Sequence, residues 1–189
     1  MRSVGVLLGC LIAAVTLAGC SSHPPDNAPP LSLSTTVPPQ ACANDQIHVK
    51  YGKGLAGQGQ TGAVLLFTNI SPIPCTLSGY PVVVAVDSAN TQTPLQETPT
   101  GPLGGIPGGG STIPVVRLTQ DNSASATIES VAHSASGGVC PTYTSILVGL
   151  PGGSPVFELP ATLPYVGRNL SACDPPPQVH PFFPGFNGY

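Results

Sequence analysis

The chain has 189 residues, a net charge of −3 and only 7% charged side chains, against a usual quarter or so. Its five cations are scattered and form no basic stripe, so binding nucleic acid through released counterions is excluded. With 23 Gly and 24 Pro, long helices are excluded too, while 41% hydrophobic residues suffice for one modest core.

The first element, residues 1–19, has the layout of a secretory signal peptide. Arg2 supplies the positive start, an apolar stretch runs from Val4 to Leu17, and Ala18 and Gly19 are small. That stretch is shorter than the roughly 20 residues a helix needs to span a bilayer, so a permanent transmembrane helix is the weaker reading. The sequence Leu17-Ala18-Gly19-Cys20 resembles the lipobox of bacterial lipoproteins. The resemblance implies that the Cys20 thiol takes a diacylglycerol as a thioether, and that cleavage then frees the Cys20 amine for a further acyl chain. Two or more chains hold a protein stably on a membrane. Cys10 falls inside the apolar stretch and needs no function.

Residues 20–41 hold Pro24, Pro25, Pro29, Pro30, Pro38 and Pro39 among Ser and Thr. This composition predicts a solvated linker with no core of its own, keeping the body off the membrane.

The body is expected over residues 42–174. Ile47, Val49 and Tyr51 alternate with polar neighbours, a half-buried strand, and Gly52–Gly59 is expected to turn the chain. Further strands are predicted at Ala63–Thr68, Val82–Val86, Val115–Leu118, Ala124–Val131, Ile146–Leu150, Val156–Leu159 and Val166–Leu170. Asp121-Asn122 reads as a hairpin turn joining two of them, and Pro151-Gly152-Gly153 as another turn. Pro99–Gly110 reads as an exposed loop. Seven or eight short strands between Gly/Pro turns make an all-β antiparallel sandwich.

Four cysteines lie in this body: Cys42, Cys75, Cys140 and Cys173. An even number in an exported chain reads as two disulfides. Three pairings are open. Cys42–Cys75 and Cys140–Cys173 is preferred, because the two spans are equal and neither crosses the middle of the body. The absence of any C-x-x-C pair argues against zinc.

Residues Thr68 to Pro81 read Thr-Asn-Ile-Ser-Pro-Ile-Pro-Cys-Thr-Leu-Ser-Gly-Tyr-Pro. Together with the four cysteines, this stretch resembles an uncharacterised domain of actinobacterial lipoproteins. The resemblance implies an immunoglobulin-like sandwich with two local disulfides, and no known activity. From the residues themselves, Asn69 and Ser71 are expected to bond the turn backbone, and Pro72 and Pro74 to fix φ. Cys75 should pin the next strand, Gly79 should permit a close approach, and Tyr80 should bury its ring with its hydroxyl on a carbonyl.

Motifs of catalysis are missing. No G-x-S-x-G elbow precedes a helix, Gly101–Gly110 lacks the Lys-Ser/Thr of a phosphate loop, and no H-x-H or H-E-x-x-H occurs. Glu129 and Glu158 are expected to face solvent. A metal site would need His48, His133 and His180 to converge, against the bland reading of isolated surface histidines. No cofactor is expected and no enzyme.

The tail, residues 175–189, carries Phe182, Phe183, Phe186 and Tyr189 among prolines. It could dock a partner, but packing on its own sandwich, over an edge strand or an apolar groove, is preferred, because free aromatics invite aggregation. The expectation is a lipid-anchored envelope protein with a non-catalytic binding or structural body. Its partners would be the membrane through Cys20 and an envelope protein or glycan. The alternatives are a carrier of a small apolar or metal ligand, or an envelope hydrolase with a spatially assembled site.

Overall fold

The computed structural model of the chain describes residues 39–134 and 136–185. The signal segment, Cys20, His23, the linker up to Pro38, and the tail aromatics Phe186 and Tyr189 lie outside the described residues.

The described residues are almost wholly β. In chain order the strands are β1 (Ile47–Gly57), β2 (Gln60–Asn69), β3 (Cys75–Ser78), β4 (Val82–Val86), β5 (Gln92–Pro94), β6 (Gln96–Glu97), β7 (Val115–Leu118), β8 (Ser123–Val131), β9 (Ser145–Gly149), β10 (Phe157–Pro160), β11 (Thr162–Leu163), β12 (Arg168–Asn169), β13 (Gln178–Val179) and β14 (Phe183–Pro184). Two single 3-10 turns, Asn44–Gln46 and Pro107–Gly109, are the only helical pieces among the described residues.

Two sheets make the layers of a sandwich-like fold. One runs β1-β2-β8-β13-β6, with β14 also on β8, and the other runs β10-β9-β4-β5. Two short ladders, β3-β7 and β11-β12, complete it. All strand pairings are antiparallel except β13 with β6.

The β1–β2 hairpin turns at Gln58 and Gly59, both at positive φ (51° and 77°), the backbone a two-residue primed turn requires. The turn expected over Gly52–Gly59 is therefore confined to two residues. β1 continues to Gly57 through a register shift between Tyr51 and Gly54. A bulge keeps a glycine-rich segment in the ladder instead of breaking it.

The strand pair β2–β8 is the centre of the core. Across it, large residues face small ones: Phe67 opposite Ala124, Leu65 opposite Ala126, Ala63 opposite Ile128. All six are buried. Matching bulk to absence of bulk at each rung lets side chains of the two strands interdigitate with the facing layer. Ile146 and Val148 of β9 and Val83 and Ala85 of β4 join the same core.

The tail packs on its own domain as far as it is described. β13 and β14 pair with the β8 edge that β2 leaves open. Phe182 between them is fully buried, its ring edge-on to Phe67 with centroids 4.8 Å apart. Such a contact adds to the burial energy, and the added strands cover an edge that would otherwise be free to pair with other chains.

Both disulfides are formed, Cys42–Cys75 and Cys140–Cys173, each with a sequence separation of 33. The expected hairpin of Val115–Leu118 with Ala124–Val131 is not formed. β7 pairs with β3, and β8 pairs with β2. Asp121, at φ 64°, and Asn122 instead carry the chain from the small ladder into the large sheet.

Candidate functional site

The corner that directs this crossing is built by the Asn69–Cys75 stretch. The Asn69 carboxamide accepts from the Ser71 N–H (2.9 Å) and donates to the carbonyls of Ile73 (3.0 Å) and Leu118 (3.3 Å). Its main-chain N–H donates to the Asn122 carbonyl and its carbonyl accepts from the Asp121 N–H. The Ser71 hydroxyl accepts from the Ile73 N–H at 3.1 Å. Asn69 is fully buried and its bond to the Leu118 carbonyl is made away from water, where a missing partner is costly, while the bonds to the Ser71–Ile73 turn lie nearer the surface. The backbone-bonding role read for Asn69 and Ser71 therefore holds. Gly79 sits at φ 85°, and its carbonyl accepts from the Phe182 N–H, tying this motif to the tail. Tyr80 is half-buried, and burial and then the Glu97 carboxylate raise its phenol pKa. The hydroxyl role read for Tyr80 is found at Tyr51, which donates to the Pro160 carbonyl at 2.8 Å and whose pKa burial pushes above the ordinary phenol range.

The three described histidines do not converge. His48 is exposed on β1, His133 is exposed beside Arg168, and His180 is fully buried against Glu129. Among the described residues no group of three His, Cys, Asp or Glu side chains is placed to hold a metal ion.

Glu158 on β10 is exposed, as its pattern suggests. Glu129 is 2% exposed and does not face solvent, against the same expectation. Ser123, Ser125, Thr127 and Glu129 do share one face of β8, but that face is covered. The segment from Thr98 to Gly105 lies over it. The Leu103 N–H donates to Glu129 Oε2 at 2.8 Å, and His180 Nε2 stands 3.4 Å from Oε1. Gly101 and Gly104 make this approach possible. A Cβ on the first would collide with Glu129 Oε1 and the His180 ring, and one on the second with Thr127 and the same ring. The loop expected to be exposed therefore contains two buried glycines, Gly104 and Gly105.

The proton arrangement follows from the partners. His180 Nδ1 lies 3.0 Å from the Thr98 carbonyl, which can only accept, so Nδ1 carries a hydrogen. Nε2 then faces a carboxylate oxygen, and the contact attracts only with a proton between them. Nε2 counts within ion-pair distance yet makes no well-aligned hydrogen bond. The Thr98 hydroxyl also reaches Nδ1, at 3.3 Å, completing a Thr-His-Glu chain. A nucleophile relay needs Nδ1 as a proton acceptor, and here the Thr98 carbonyl holds it as a donor. The chain of contacts is a clamp that fixes the glycine loop on the sheet.

A cavity of about 400 Å³ opens elsewhere. Its walls are Thr61 at the start of β2, the segment after β8 with His133, the Cys140 end of a disulfide, Thr142, and Arg168 of β12. Arg168 Nη1 donates to His133 Nε2 at 3.4 Å, which places the His133 proton on Nδ1. No acidic side chain among the described residues lines this cavity. The walls are fixed from behind. Asn169 donates to the Tyr143 carbonyl and accepts from the Thr162 hydroxyl, and the Ser171 hydroxyl donates to the Val131 carbonyl.

Neither place stands out in the sequence. The one signal for the clamp is the density of glycine in Gly101–Gly110, with no phosphate-loop motif to explain it. The cavity has none, since Arg168 and His133 are 35 residues apart.

No curated protein and no solved structure matches the chain. A family model described as a domain of unknown function, DUF4232, matches residues 42–182, a span from the first disulfide cysteine to the buried Phe182. The chain belongs to that family.

Proposed function

We propose that this protein is an exported lipoprotein, held on the outer face of the cell membrane through Cys20, whose β-sandwich is a non-catalytic binding or structural module. The observation that carries the reading is the pair of disulfides. Both close in one small domain, and such bridges persist in oxidising compartments outside the cytosol. The signal-like residues 1–19 and the lipobox-like Leu17-Ala18-Gly19-Cys20 supply the route and the anchor. The proline-rich linker supplies the distance from the bilayer. An envelope protein or glycan is the partner class that such a position offers.

A carrier of a small ligand is the second reading, supported by the cavity of about 400 Å³ beside Arg168, which falls in the size range of small-molecule sites. A metal ligand has no support from the histidines, which lie apart. A hydrolase has none from the clamp, where the ring nitrogen next to Thr98 is already a donor.

Fractionation of the host tests the anchor. The native chain is expected in the membrane fraction and a Cys20→Ala variant in the soluble or secreted fraction. Equal release of both would remove the lipoprotein reading.

A further inference from the structure

We propose that the cavity beside Arg168 binds a small oxyanion, the carboxylate or phosphate group of an organic molecule. The proposal rests on the reading of this domain as a binding module and names the chemistry of its ligand.

Charge gives the sign. The chain is net negative and has only five Lys and Arg in all, yet one of its two described arginines stands in this cavity with a histidine beside it. Among the described residues Arg168 has no carboxylate partner. Its side-chain hydrogen bond among the described residues is to His133 Nε2, which uses a single N–H of five. The remaining donors form a planar fork suited to two oxygens of one anion. His133 orients that fork without neutralising it.

Thr61 is an independent sign. It is 6% exposed and lines the cavity, and its hydroxyl, which bonds no described residue, is open to the cavity and is not one of the fully buried unpartnered groups. A hydroxyl so placed is satisfied only by something in the cavity, water or ligand. Thr142, an exposed residue, lies on the same wall. Arginine fork, two hydroxyls and no acid together make a donor-rich pocket, the complement of an oxyanion.

The pocket is also held in shape. The Thr61 main chain is held by its ladder pairing with Ser130, the Arg168 main chain by the β11–β12 hairpin, and Cys140 by its bridge to Cys173, while the Arg168 and His133 side chains are exposed. A volume of about 400 Å³ accommodates a molecule the size of a sugar acid or a sugar phosphate.

The test uses the full chain, isotope-labelled, titrated with sodium phosphate and separately with sodium acetate at constant ionic strength set by sodium chloride. Chemical shifts of the Arg168 Nε–H and the Thr61 amide are followed. The proposal expects saturable shifts with at least one anion. Saturation by phosphate alone assigns a phosphoryl ligand, and saturation by acetate alone a carboxylate. Arg168→Gln should weaken binding by about tenfold or more, the loss of a charge-assisted pair. Should that variant fail to fold, His133→Ala, a change at an exposed ring, should weaken it severalfold with unchanged thermal stability. Shifts that rise linearly up to tens of millimolar with both anions, or equal binding by the native chain and a folded variant, would overturn the proposal. Because the readout is a folded domain in solution, it is indifferent to whether Cys20 carries lipid.

Discussion

The carboxamide of Asn69 donates to the carbonyl of Leu118 across 49 residues of chain, at the point where the small β3–β7 ladder hands over to the large sheet. No other described side chain bonds both the Ser71–Ile73 turn and the end of β7. Asn69→Ala would strip Leu118 and Ile73 of a donor inside the protein. The expected cost is about 2–4 kcal/mol, read by urea unfolding. Asn69→Asp keeps an acceptor for the Ser71 N–H but loses both donations, so it should also destabilise. A loss under about 0.5 kcal/mol for Asn69→Ala would show that the corner is held by its main chain alone.

The buried Glu129–His180 pair is expected to behave as one unit. Glu129→Ala leaves the Leu103 N–H without its acceptor, removes the carboxylate beside His180 Nε2 and opens a buried void, and should cost about 3–5 kcal/mol. Glu129→Gln retains an acceptor for Leu103 and should cost less. A double-mutant cycle with His180→Phe is expected to give a coupling of about 1–3 kcal/mol, whereas additivity within about 0.5 kcal/mol would contradict the contact. Gly101→Ala tests the same place from the loop side. Its methyl would strike Glu129 and His180, so exchange protection of the Leu103 amide should fall. Gly108→Ala, where a Cβ meets open space, should leave that amide protected.

Phe182 fixes the tail. Its fully buried ring stands against Phe67, so Phe182→Ala should cost about 3–5 kcal/mol. Truncation after Asp174 should lower thermal stability further, because β13, β14 and His180 go with it. A truncated protein as stable as the parent would instead make the tail a docking peptide.

Asp87 ties stability to acid. Its Oδ1 accepts from the Thr91 and Ala89 N–H groups, each at 2.8 Å. The Thr91 bond first, and the Ala89 bond after it, hold the carboxyl below its usual value. A folded value below the unfolded one means that the stabilisation is full above the ordinary carboxylate value, about 3.9, and is lost as pH falls from there through the lower folded value. Asp87→Asn should therefore flatten the acid limb of a plot of Tm against pH. Parallel acid limbs for the two proteins would contradict the turn geometry.

Strands with a periodic pattern are legible in the residues alone. Val82–Val86 and Val115–Leu118 coincide with β4 and β7, and the alternation of Ile47, Val49 and Tyr51 is that of β1. The preferred cysteine pairing is the one formed. The two- and three-residue strands β5, β6 and β11 to β14 are too short to carry a period; β5, β13 and β14 lie on the edge of a longer neighbour, while β11 and β12 pair only with each other and β6 only with β13. Partners are harder to read than strands. Asp121-Asn122 looks like a hairpin turn locally, and only Asn69, far upstream, makes it a crossing between ladders. A period of two groups Ser123, Ser125, Thr127 and Glu129 on one face, but period does not tell which face is covered. The cover comes from Thr98–Gly105 and His180, whose approach depends on glycines that read, by themselves, as loop. Arg168 and His133 likewise meet only after two separate segments are folded against the end of the large sheet.

The most direct test is the intact mass of the protein isolated from its own host without reductant. The account predicts a chain beginning at Cys20, heavier than its sequence by a diacylglycerol thioether and further acyl groups, and lighter by the four hydrogens of two disulfides. A mass equal to the unmodified polypeptide, or four free thiols in the body, would contradict it.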